Sequence, residues 1–262
     1  MAITPIPPGD SAVAVVNPDG GGPLVLVCEH ASNHIPARYG GLGLAEADRD
    51  SHAAWDPGAL GVARALSARH DAPLVAGAVS RLVYDCNRPP DAASAMPARS
   101  ERIEVPGNRD LTPDARAERE LSVYRPFCAA VARILDARRA ARVGTVLVTI
   151  HSFTPVFNGQ PRAVEIGLLH DQDTRLADLM LQNAPALPHR QIARNAPYGP
   201  QDGVTHSLRL HGLARALPHV MIEIRNDLLT SAADQARLAG EIDTLLTPAL
   251  IALGLSPVAH AL

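Results

Sequence analysis

Four apolar runs of this chain stop on residues that could do chemistry. LVLVCE (24–29) leads into His30-Ala31-Ser32-Asn33, RLVYDC (81–86) into Asn87-Arg88, TVLVTI (145–150) into His151-Ser152, and VMI (220–222) into Glu223-Ile224-Arg225. Neutral imidazoles bind zinc, and zinc polarises a carbonyl and acidifies a water. A carboxylate can take that water's proton, and an arginine can hold a substrate carboxylate through paired hydrogen bonds. Two histidines, a glutamate and an Asn-Arg pair therefore supply the parts of a hydrolytic site. Each residue alone has a plainer reading. A histidine after a strand is more often a hydrogen-bonded structural residue, Glu223 could pair with Arg225 or Arg81, and Asn87 and Arg88 could cap a loop. Their clustering at strand ends is the argument for a site, because ligands of α/β sheets collect there.

The elements that must position these residues read as strands alternating with helices. Leu24–Glu29, Thr145–Ile150, Ala163–Leu169 and His219–Ile224 are short apolar runs of the buried-strand kind. A further strand pair is expected at Pro73–Ser80 and Leu82–Asp85, and a short strand at Ala12–Val16. Asp56-Pro57 before GALGVARALSARH predicts a helix with Asp56 as its N-cap. Helices are also expected over 114–142, interrupted near Pro126, over Asp173–Gln182, and over Ser231–Leu255; 87–113 reads as a long surface loop. The predicted fold is α/β: a mixed, mostly parallel sheet with helices on both faces, in three layers. Residues 1–23 read as a loose lead-in and 24–262 as a single catalytic domain, a size one core can serve.

Composition narrows the chemistry. The 262 residues include no lysine, which excludes Schiff-base chemistry and leaves arginine or a metal as the fixed cation of any site. A net charge of -3 without long basic runs speaks against nucleic acid as a partner and for a small molecule. Cys28, Cys86 and Cys128 show no CxxC spacing, so neither a disulfide framework nor a thiolate zinc site is expected. The N-terminus lacks the pattern of a signal peptide and no apolar run is long enough to span a bilayer, so the reading is a cytoplasmic protein, monomeric or a small homo-oligomer, with no membrane partner.

In order along the chain, the segments CEHASNHIP, HAAWDPGALGVARAL, SRLVYDCNRPP, VPGNRDL, TIHSFTP, VEIGLLHDQDTRLAD, NAPYGPQDGVTHSLRLHG and PHVMIEIRNDLL resemble the N-formylglutamate amidohydrolase family, from about Leu24 to Leu229. The order of the polar motifs is also similar to that of the zinc carboxypeptidases. The resemblance implies a zinc-exopeptidase-like fold, His30 and His151 as Zn2+ ligands, Asn87 and Arg88 as the substrate-carboxylate pair, and Glu223 as general base. Where carboxypeptidases carry a glutamate ligand this chain has Asn33, a poor zinc donor. The third ligand is therefore open between Asp56, Asn33 and Asp85, with Asp56 the first candidate against its capping role. Glu29 alternates to the other side of its strand from His30, and His52 is a candidate for the ring around the ligands. Arg81 and Arg109 are candidate anion contacts, and Tyr198 a candidate donor from a Gly/Pro-rich flap. The implied activity is hydrolysis of an N-acyl amino acid, N-formyl-L-glutamate to formate and glutamate. The same residues would serve a carboxypeptidase or peptidoglycan-type amidase, and without metal a carboxylate-binding protein.

Overall fold

The computed structural model describes residues 11–255, so residues 1–10 of the expected lead-in lie outside the described residues. Seven strands form one sheet: β1 (Val13–Val16), β2 (Leu24–Cys28), β3 (Leu74–Gly77), β4 (Val146–Phe153), β5 (Ile166–Leu169), β6 (Ile192–Arg194) and β7 (His219–Arg225). Their spatial order is β1-β3-β2-β4-β7-β5-β6. β3, β2, β4 and β7 run parallel, β1 pairs antiparallel with β3, and β5 pairs antiparallel with β7 while carrying β6 in parallel.

Side chains alternate between the two sheet faces. Val146, Val148 and Ile150 of β4, with Val220, Ile222 and Ile224 of β7, pack with α1 (Ala59–Arg69), α3 (Arg175–Gln182) and α4 (Ala232–Ala252). Val25 and Val27 of β2 and Leu147 of β4 pack with Phe127, Val131 and Leu135 of α2 (Arg125–Ala140) on the other side. This is the expected α/β arrangement of a mixed, mostly parallel sheet between two helical layers. No described helix is long and apolar enough to cross a membrane.

Some elements differ from expectation. Leu82–Asp85 is not a strand: the chain turns there, and the Leu82 and Val83 carbonyls are met by side chains instead of a neighbouring strand. Asn108 donates to the Leu82 carbonyl at 2.8 Å and the buried Arg119 to the Val83 carbonyl at 3.3 Å, so side chains satisfy backbone that a ladder would otherwise have to pair. The 87–113 segment carries a small hairpin, Arg99–Ser100 against Ile103–Glu104. The interruption near Pro126 is a widened turn at Glu120–Tyr124 just upstream of it, where a proline without an N–H cannot continue the regular ladder. β6 and the hairpin Val156–Phe157/Gln160–Pro161 carry no clear alternation and escape the sequence reading.

Candidate active site

β4 and β7 lie side by side in a register that sets Glu223 opposite His151. By alternation both project from the face away from α1 and α4. On β4's other flank, Val27 of β2 is paired with Thr149, so two residues further on Glu29 comes level with His151. His30 follows past the end of β2. Asp56 is brought to it by a backbone hydrogen bond from its own N–H to the His30 carbonyl, 2.9 Å. Gly58, at φ +81°, turns the chain into α1 in a conformation that side chains disfavour, and a Cβ there would collide with Leu229. The turn leaves Asp56 two residues ahead of the helix cap, so its carboxylate faces the site and caps nothing.

The geometry is tight. Asp56 Oδ2 lies 3.2 Å from His30 Nδ1 and 2.9 Å from His151 Nδ1, and the Ser152 N–H donates to the same oxygen at 3.3 Å. The opposite nitrogens are also covered. His30 Nε2 is 2.7 Å from Asp85 Oδ1, and His151 Nε2 is 3.0 Å from Glu29 Oε2, near enough for an ion pair although not aligned as a hydrogen bond. All five side chains are buried. A neutral imidazole carries one N–H and can donate to one carboxylate only. Here each ring faces a carboxylate on both sides, so either the rings are charged or a cation sits between the two Nδ1 atoms and Asp56. The donor atoms of His30, Asp56 and His151 lie within 4.8 Å of one another, a group that could hold a metal ion. Asp85 and Glu29 then stand behind the histidines as the carboxylates that orient metal-binding imidazoles.

Electrostatics follows from this packing. Burial alone would raise Asp56, but the two histidines hold it well below the ordinary carboxylate range. Burial also opposes ionisation of Asp85, and His30 and Arg81 overcome it, holding its pKa well below the usual value. For His151 burial favours the neutral ring, while Glu29 and Asp56 push its pKa well above the usual 6.5. Glu223 is the exception among the acids. Burial pushes it up to about 7, His151 and His30 pulling it down and Asp56 adding to the rise, and its Oε2 is buried without a hydrogen-bond partner. A carboxyl of that kind, at the edge of a cavity, is placed to exchange a proton near neutral pH.

The cavity in front of these groups has a volume of about 320 Å³ and is lined by His30, Asp56, His151 and Glu223, by Arg81, Asn87 and Arg88, by His52, Phe157 and Tyr198, and by the Arg99–Glu101 tip. The chain matches known proteins in both sequence and structure. The sequence model described as N-formylglutamate amidohydrolase covers residues 22–230. This chain belongs to the N-formylglutamate amidohydrolase family. It is therefore a hydrolase of a C–N bond other than a peptide bond. A gene product of Agrobacterium tumefaciens of known crystal structure is 53% identical, with a TM-score of 0.91 over 93% of this chain and 96% of its own. The N-formylglutamate amidohydrolase of Ralstonia eutropha shares the fold at 20% identity, with a TM-score of 0.68 over 94% of this chain and 98% of that one. No curated protein matches the chain.

Within the amidohydrolase, the structure distributes the expected residues unevenly. Asn33 is outside the site, its amide donating to Asp50 at 2.8 Å, so the position that would match a glutamate ligand supplies none. Asp85 contacts His30 on the nitrogen that points away from the Asp56 side, which leaves Asp56 as the third member of the metal-type group. Arg81 lines the cavity but is committed to carboxylates, 2.7 Å from Asp85 Oδ2 and 3.4 Å from Asp56 Oδ1. Asn87 is there too, with its amide spent at both ends: it donates to the Val204 carbonyl at 2.6 Å and accepts from the Ser207 N–H at 3.0 Å. Arg88 donates to the Asn87 carbonyl and meets no carboxylate among the described residues. Arg109 does not join; it pairs with Glu104 at 2.8 Å on the surface. Tyr198 does, because Gly167 of β5 lets the Ala196 carbonyl approach where a Cβ could not fit. Arg225 pairs with Asp227 and Glu165 and leaves Glu223 alone.

Sequence reasoning missed Glu29 as the partner of His151. Its signal was the adjacency of Glu29 and His30, usable only once β2 and β4 are known to be neighbours in the register above. The Arg99–Glu101 tip at the cavity gave no signal.

Proposed function

We propose that this amidohydrolase is zinc-dependent and cleaves N-formyl-L-glutamate to formate and glutamate. The convergence of His30, His151 and Asp56 beside a buried glutamate with an unpartnered oxygen carries the reading. Two imidazoles and one carboxylate are a usual zinc donor set, with a coordination position left open. Zinc held there would polarise the amide carbonyl and acidify a water. Glu223, beside this group with one oxygen unpartnered, takes a proton from the attacking water and returns it to the leaving amine. Arg88, with no carboxylate of its own, holds the substrate α-carboxylate, and Asn87 fixes the Val204–Ser207 segment against that wall. Arg81 anchors Asp56 and Asp85 and so keeps the histidine partners in place. Tyr198 lines the cavity as well.

The test is direct: metal content of the purified protein, then release of formate from N-formyl-L-glutamate with N-acetyl-L-glutamate and a glutamyl dipeptide as controls. About one zinc per chain and formate release exceeding release from both controls are expected. A metal-loaded protein that prefers the dipeptide would replace this reading by a carboxypeptidase one.

A further inference from the structure

A substrate with two carboxylates needs two cations, and Arg88 is one. We infer that Arg162 is the second, the residue that selects an acidic side chain on the N-acyl amino acid; this rests on the amidohydrolase reading of the site given above. The other arginines near the site are engaged by acids. Arg81 holds Asp85 and Asp56. Arg99 is mostly exposed, 3.6 Å from Glu104, and donates to the Glu101 carbonyl. Arg225 pairs with Asp227 at 2.8 Å and lies 3.7 Å from Glu165.

Arg162 differs. Among the described residues no carboxylate lies within ion-pair distance of it; its guanidinium makes a long hydrogen bond, 3.4 Å to the Thr154 carbonyl, and interacts with the Tyr198 hydroxyl. Aromatic rings surround it instead: its central carbon is 4.5 Å from the ring centre of Phe157, 4.8 Å from Tyr198 and 5.4 Å from Phe153. Phe157 and Tyr198 are walls of the cavity. Aromatic neighbours attract a cation but accept little from its N–H groups, of which a guanidinium has five. A half-buried guanidinium held by rings, with most of its donors unspent, matches the planar two-oxygen face of a carboxylate. Arg162 follows the hairpin after β4 and touches the cavity walls Phe157 and Tyr198, whereas Arg88, in the turn after Arg81, lines the cavity itself.

The competing account is that Arg162 only cements the hairpin to the Tyr198 loop. The two accounts separate on N-formyl-L-glutamate against N-formyl-L-glutamine, which differ in the side-chain charge alone. The native, metal-loaded enzyme should prefer the glutamate substrate by at least about tenfold in kcat/KM, and Arg162→Gln should reduce that ratio to within about threefold of unity, mainly through KM. Arg162→Lys, which keeps the charge and loses the fork, should fall between them. Loss of rate on both substrates by the same factor in Arg162→Gln means cement, and an unchanged ratio means a different anchor; either overturns the assignment. If the native enzyme releases formate from neither substrate, the proposed function fails, and the anchor is read by calorimetry with glutarate against its monoamide. A preference for glutarate lost in Arg162→Gln upholds Arg162 on its own, and equal binding rejects it.

Discussion

Helix α1 has a histidine–carboxylate contact at each end, and the two are built differently. At its C-terminal end His70 meets one acid: Nε2 is 2.8 Å from Asp243 Oδ1 on α4, and Nδ1 is enclosed without a partner. One ring nitrogen meets one acid, and the pair ties α1 to α4. At the N-terminal end His30 and His151 each meet an acid through both nitrogens, with Asp56 shared between them. Neutral rings cannot satisfy that arrangement, and a divalent cation can. What separates a tie from a metal-type site is therefore the number of acids per ring. The rings are buried alike at the two ends, but the acids are not: the Asp243 side chain is 27% exposed, whereas Asp56, Asp85 and Glu29 are buried.

The sharpest way to break this comparison is to remove a ring from the end where each ring meets two acids. His30→Ala or His151→Ala should abolish zinc retention and with it nearly all turnover, because two remaining ligands hold the ion poorly. A double variant with normal zinc content on elemental analysis would end the proposed centre. Glu223→Gln comes next: it should fold, retain zinc and lose at least about a hundredfold in kcat, the scale of a lost general base. Near-normal turnover would remove Glu223 from the mechanism. Glu29→Gln should weaken zinc affinity by about 10- to 100-fold, as removal of the carboxylate behind a metal-binding histidine does. Competition with a chelator measures it, and unchanged affinity would reduce Glu29 to packing. The smallest effect belongs to the other end of the helix. Asp243→Asn should cost about 1 kcal/mol in denaturant unfolding and leave kcat and zinc content within twofold of native.

Glu223 also carries a pH signature that can be read on metal-free protein. Its folded pKa, about 7, lies above the ordinary value of 4.5 because burial disfavours the charge. A carboxyl raised in this way contributes its full stability below about pH 4.5 and loses it as pH rises through about 7, where ionisation must occur in a buried place. Glu223→Gln, which stays neutral, should match the native chain near pH 4.5 and become more stable than it as pH rises, by on the order of 3 kcal/mol above pH 7. A stability difference that is flat across this range would show that Glu223 is not held in this state.

By itself the sequence determined which strand ends carry chemistry, since an apolar run ending in histidine or glutamate is visible without knowing its neighbours. His30, His151 and Glu223 were legible for that reason, and alternation along β4 and β7 already implied which face each would take. Most of the buried strands and the helical layers were legible from periodicity in the same way. What tertiary structure alone decided is who meets whom. The β2-β4-β7 neighbourhood, set by parallel register, put Glu29 behind His151 and Glu223 beside it. The left-handed Gly58 turn separated Asp56 from the helix it was placed to cap and gave it to the histidines. Arg81, Arg88, Arg109 and Arg162 look alike in sequence because an arginine's role depends on which acids reach it. Those distances are set by the packing of segments far apart in the chain, which no local pattern encodes.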